Sequence, residues 1–184
     1  MTAISMGNRA ETGFDLLRLL EPKNKRGLHV SETKYFPLSG EIIEGAHHLT
    51  QRVYYEDTDF SGAVYHARYL HFMERARTDY LRCLGVEQSA LFEASDEGLA
   101  FMVHRMEIDF KAPARMDDVI TVVTRTGKAG GAKMILEQTI SRGTQLLIDA
   151  KVIIAVVNRQ GRPRRLPEQL AYQFLAKGQE NSAK

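Results

Sequence analysis

A chain of 184 residues with 43% hydrophobic residues suffices for one domain with a sizeable core and leaves no room for a second full one. The formal net charge of +2 is too small for bulk attraction to nucleic acid or a membrane, and no apolar run approaches the ~18 residues of a membrane span. The single cysteine, Cys83, excludes an internal disulfide and suits a reducing cytoplasm, the expected location.

Residues 1–45 carry Phe14, Leu16, Leu17, Leu19 and Leu20, but Asp15 and Arg18 interrupt the run and no small-residue cleavage site follows, which makes a poor signal peptide. Turn-rich segments around Pro22 and Pro37 lead us to expect a disordered N-terminal extension there. Residues 48–56 alternate around Leu49, Gln51 and Val53 like a partly buried strand, and residues 57–62 break it. From 67 to 84, Tyr69, Phe72 or Met73, Ala76, Tyr80 and Leu84 recur at helical spacing, with Arg68, Arg75, Asp79 and Arg82 on other faces and Gly85 as the stop.

Residues 88–97 read as a short helical or irregular connection. Four strand-like runs follow, at 100–110, 119–128, 133–141 and 145–158, divided by Pro113, Asp117-Asp118, Gly130-Gly131 and Arg142-Gly143. Gly127, Gly130 and Gly131 separate strands and do not open a helix, so they are expected as hairpin glycines and not as a phosphate cradle. From Leu166 a short terminal helix and a polar tail over 177–184 are expected. The fold class is α+β: a bent antiparallel sheet with one long helix against its face, in a domain over 46–176.

The chemistry concentrates between the first strand and the long helix. A carboxylate at the strand end, a glycine at Gly62 and the first turn of a helix near His66 together supply a base or nucleophile and backbone N–H groups for a carbonyl oxygen. Along an extended strand Glu56 points away from Asp57 and Asp59, and Asp59 lies nearest the helix start. The imidazole of His66 serves chemistry or structure equally well, and Tyr55 at a strand end is suited to packing. His66 and His71 are five apart and lack a completing Cys or carboxylate, so no metal is expected, and Cys83 reads as core.

Tyr55, Asp59, Gly62, Val64-Tyr65-His66 and Tyr69 fall at the spacing of a known signature. The segment resembles acyl-CoA thioesterases of the 4-hydroxybenzoyl-CoA thioesterase family, and within them the Tol-Pal-associated YbgC type. The likeness continues through Phe110-Lys111-Ala112-Pro113-Ala114-Arg115-Met116-Asp117-Asp118 and Arg164-Arg165-Leu166-Pro167, covering roughly residues 48–172. The resemblance implies a hotdog fold, in which the sheet wraps the helix, and hydrolysis of an acyl-CoA or acyl-carrier-protein thioester. Asp59 matches the family's catalytic aspartate, His66 would contribute its amide N–H to the carbonyl, and Tyr55 would orient Asp59 or pack by the acyl chain. It further implies a dimer or tetramer whose sites use both subunits, with coenzyme A entering as substrate and no other cofactor. Phe60, where relatives often carry a small residue, and Ala63, where a bulkier Val is common, depart from the pattern.

Lys111, Arg115, Arg162, Arg164 and Arg165 are the candidate cations for the coenzyme's phosphates, and the Arg162 to Arg165 cluster suits the acidic surface of an acyl carrier protein equally well. Two other readings accompany the thioesterase. One is a hotdog hydratase or dehydratase. The other is a non-catalytic adaptor for acyl carrier protein or phospholipid-synthesis enzymes, peripheral to the cytoplasmic membrane face.

Overall fold

A computed structural model describes residues 39–93 and 95–179, all within one unit spanning 36–184. Of the expected extension over residues 1–45 and the expected tail over 177–184, residues 1–38 and 180–184 lie outside the described residues, and the terminal helix runs on to Gln179. The elements in order are β1 (Glu41–Ile43), β2 (Ala46–Arg52), α1 (His66–Cys83), α2 (Gln88–Glu93), β3 (Ala100–Phe110), β4 (Val119–Gly130), β5 (Lys133–Arg142), β6 (Gln145–Val157) and α3 (Glu168–Gln179).

The strands form one six-stranded antiparallel sheet in the order β1-β2-β4-β5-β6-β3. Two-residue connections at Gly131-Ala132 and Gly143-Thr144 make the hairpins, with Gly131 at φ 60° and Gly143 at φ 56°, a conformation that L side chains rarely adopt. Gly127 is not a hairpin residue. The register slips between Thr126 and Lys128, so Gly127 forms a bulge inside β4, and the strand runs on to Gly130. A bulge bends the strand and sharpens its twist, which helps the sheet curl.

Along β4 and β5 alternate residues turn inward: Ile120, Val122 and Thr124, then Met134, Leu136, Gln138 and Ile140 are buried. They meet Tyr69, Phe72, Met73, Ala76 and Tyr80, the helical stripe of α1. The bent sheet with one long helix against its concave side is the hotdog arrangement. Burial of a side chain such as Phe72, 1% exposed, contributes about 1.5–3 kcal/mol. A second cluster at the C-terminal half of α1 joins Tyr80, Leu81 and Leu84 to Phe174 of α3.

Three further sequence readings change. The strand ends at Arg52 and not at Glu56, because Tyr55–Asp57 wind into a single tight turn. Asp79, assigned to an outer face, is buried: its Oδ2 accepts the Gly40 N–H at 2.7 Å and lies 2.9 Å from His47 Nε2. Glu41–Ile43 and Gly40, placed in the extension, form β1 and its lead-in, paired to β2 and tied to α1. The folded unit thus begins before residue 46.

Candidate active site

β2 delivers the chain to Val53, fully buried, whose N–H donates to Asp118 O at 2.9 Å and whose carbonyl accepts the Asp117 N–H. The turn that follows is built by Asp57. Its Oδ2 accepts the Tyr54 N–H at 2.8 Å, its Oδ1 pairs with Arg68 Nε at 3.1 Å, and its carbonyl accepts the Tyr65 N–H at 2.9 Å. One buried carboxylate so clasps the turn to the first helical residues. Asp57 is structural; the exposed acids of the turn are Glu56, 3.5 Å from Arg68 Nη2, and Asp59.

Asp59 opens a small hairpin, Thr58 opposite Val64, in which its N–H donates to Ala63 O at 3.0 Å and its carbonyl accepts the Gly62 N–H at 2.9 Å. Gly62 sits at φ 72°, which explains the glycine. The Asp59 side chain is held on one oxygen only: Oδ1 accepts the Ser61 N–H at 2.8 Å and the Ser61 hydroxyl at 2.6 Å. These bonds, the hydroxyl first and the amide second, hold its carboxyl below the ordinary carboxylate range, and the nearby His66 adds to the effect.

α1 starts at His66 with Tyr65 as its cap residue, and it has neither a side-chain cap bond nor an acidic residue in its first turn. Most helix starts spend those N–H groups on a capping side chain; here no side chain takes them, and the Arg68 N–H donates to Tyr65 O at 2.8 Å. The His66 ring is exposed and tilted against Tyr65 with centroids 4.4 Å apart. Tyr55 stands 79% exposed, and only its backbone joins the turn, its carbonyl accepting the N–H and the hydroxyl of Thr58. Phe60, at the tip, is fully exposed.

Of the cations, Arg115 adjoins the turn: Ala63 bridges to it, and Val64 N–H donates to Ala114 O. Lys111 lies near the start of β6, its N–H donating to Leu147 O and its Nζ paired with Asp109 at 2.9 Å, which raises its pKa. Arg162, Arg164 and Arg165 are elsewhere. Arg164 N–H donates to Val156 O at the far end of β6, and its guanidinium pairs with Glu97. The stretch of β6 between the two ends is about 30 Å at ~3.3 Å per residue. Within one chain, then, the arginine cluster does not meet Asp59.

Sequence reasoning missed Ser61 and Arg68. The spacing of Asp59 and Ser61, two apart, is that at which an Asp side chain closes a local turn, and it was the available signal. Among the described residues one group offers metal-type donors, His47, Asp79 and Cys83, with ligand atoms within 4.8 Å of one another. Asp79 already joins His47 to Gly40, and the group lies about 20 Å along α1 from His66 at 1.5 Å per residue, away from the turn.

The sequence model of the thioesterase superfamily matches residues 61–148. An acyl-CoA thioesterase, YbgC, of Haemophilus influenzae is 44% identical over 117 residues, which is 64% of this chain and 85% of that protein. An acyl-CoA thioester hydrolase, YbgC, of Escherichia coli O6:H1 is 39% identical over 125 residues, 67% of this chain and 91% of its own length. Among solved structures, a probable thioesterase from Bartonella henselae superposes with a TM-score of 0.64 at 47% identity, covering 66% of this chain and 99% of the other.

Proposed function

The chain belongs to the thioesterase superfamily, and from that membership we infer that it hydrolyses the thioester of an acyl-CoA to a free acid and a thiol. The observation that carries the reading is the exposed Asp59 carboxylate, with one oxygen bonded and the other open, beside a helix start without a side-chain cap. In the proposed reaction the thioester oxygen takes N–H bonds from the start of α1, His66 first. Oδ2 of Asp59 removes a proton from water as the water attacks the carbonyl carbon, or attacks that carbon itself to form a mixed anhydride that water then hydrolyses with release of a proton. The C–S bond breaks, and the proton goes to the departing thiolate.

Thiol release measured over short, long and aromatic acyl-CoAs tests the reading, with Asp59→Asn in parallel. We expect the variant to fold and to lose roughly 10²–10⁴-fold in turnover, the scale of a lost general base. Near-normal turnover would remove Asp59 from the chemistry. Single turnover in ¹⁸O-water followed by mass analysis of Asp59 tests for the nucleophile, since label enters the carboxylate only when water opens an anhydride at Asp59 Cγ.

A second subunit completes this proposal. β3 is a sheet edge, and Met102 at 55%, Val103 at 45% and Phe110 at 53% exposure are apolar residues on it. Antiparallel pairing of two β3 edges about a two-fold axis brings the partner's β3 start, with its Arg162 to Arg165 loop, beside this chain's β3 end, Lys111 and the turn. The cluster then serves the coenzyme's phosphates in trans. Mixing Asp59→Asn chains with Arg164→Ala/Arg165→Ala chains tests it: trans action restores one working site per mixed dimer, and cis action restores none. If the double variant keeps its KM for acyl-CoA and loses acyl-carrier-protein binding, the cluster is a protein interface. An acyl-CoA substrate and a single cysteine favour a cytoplasmic setting.

A further inference from the structure

We propose that Ser61 is a positioning residue for Asp59, its hydroxyl clamping Oδ1 so that Oδ2 alone faces water or the thioester carbon. The inference rests on the catalytic reading of Asp59. Ser61 donates twice to the same oxygen, from N–H at 2.8 Å and from Oγ at 2.6 Å. Any residue other than proline at this position could supply the amide. The hydroxyl is what serine adds. Oγ also accepts the Ala63 N–H at 3.4 Å, which occupies a lone pair and turns the hydroxyl proton toward Asp59.

An exposed carboxylate on a turn otherwise rotates about χ2, a broad two-fold torsion, and offers either oxygen in turn. Two donors on one oxygen stop that rotation, and bonds to an ionised acceptor are the strong kind. They also keep the group ionised to lower pH, at some loss of basicity. The other charges around the turn act in the same setting: His66 at the start of α1, Arg115 across Ala63, with Nη1 beside Gly62, and Asp57 and Glu56, both paired with Arg68. Of these only His66 adds to the effect on Asp59. Ser61 is thus the principal local control on the orientation and ionisation of the acid.

The test compares wild type, Ser61→Ala, Ser61→Thr and Asp59→Asn in the full chain, with kcat and KM followed against pH and the Asp59 carboxyl titrated by ¹³C NMR. Ser61→Ala should lower plateau kcat roughly tenfold, the size one charge-assisted hydrogen bond supports, with KM within about twofold. Its acid limb and the Asp59 titration should both move to higher pH. Ser61→Thr, which keeps the hydroxyl, should restore both. An acid limb and titration in Ser61→Ala that coincide with wild type overturn the proposal, as does a kcat loss that Ser61→Thr fails to repair. If Asp59→Asn is inactive while the limb stays put, the Ser61 inference alone has failed. If Asp59→Asn stays active, the catalytic reading has failed and the inference with it.

Discussion

Two carboxylates stand two residues apart, and their surroundings give them opposite duties. Asp57, 3% exposed, joins the Tyr54 N–H to Arg68 and so ties the turn to α1; Asp59 is exposed and joined only to its own turn. Asp57→Asn should therefore destabilise the fold by about 1–3 kcal/mol, because Arg68 loses its buried carboxylate partner and keeps only the exposed Glu56, while Asp59→Asn leaves stability nearly unchanged. Urea unfolding of the two variants reads the contrast directly. A different residue-scale effect comes from His47. Its ring is fully buried, and burial lowers its pKa below 6.5, the bond to Asp79 only partly opposing this. The folded state then takes up a proton less readily than the unfolded chain. The stabilising effect is whole above pH 6.5 and is lost as pH falls through the folded value. His48, also lowered, chiefly by burial, acts in the same direction. Unfolding free energy measured from pH 7.5 down to 5.5 should fall, and less steeply in His47→Gln.

At the scale of elements, the two edge strands matter most. β1 is short, three residues paired to β2, yet its lead-in residue Gly40 donates to Asp79 and has His47 Nε2 only 2.5 Å from where a Cβ would sit. Removing residues 1–45 takes that strand and that bond away, and should cost roughly 1–2 kcal/mol relative to removal of residues 1–38. Thermal melting of the two truncated chains decides it, and equal Tm values would show β1 to be dispensable. β3, at the other edge, leaves Met102 and Val103 open. Charge on an edge strand blocks pairing with another, so if two copies pair through β3 as proposed, Val103→Lys should yield a monomer by light scattering, with acyl-CoA turnover falling in step.

For the whole molecule the issue is distance. Asp59 and the Arg162 to Arg165 loop occupy opposite ends of β6, so one chain cannot use both on one coenzyme unless a second copy brings them together. If those arginines hold phosphates, raising salt from about 0.05 to 0.5 M should raise KM for acyl-CoA with little effect on kcat, since the Debye length falls from above ~10 Å to a few ångströms. A KM indifferent to salt would argue against phosphate contacts.

Local rules settled much of this protein in the sequence itself. The period of apolar residues and the chemistry of Gly85, Gly131 and Gly143 act over a few neighbouring positions, and they determined the order of elements from β2 onward: β3 runs over Ala100–Phe110 as expected, and α1 starts and ends within one residue of its expected bounds. The cluster of acid, glycine and helix start around Asp59 was legible for the same reason. What only the tertiary structure decided depends on what lies across from a residue. Asp79 on the helix surface is buried because His47 and Gly40 come to meet it, and Asp57 is a clasp because Arg68 reaches back over the turn. Gly127 is a bulge because β5 runs beside it, and Arg164 lies far from Asp59 because a full strand intervenes. Spacing along the chain carries no information about such partners, since they are brought together by sheet register and helix packing between residues remote in sequence.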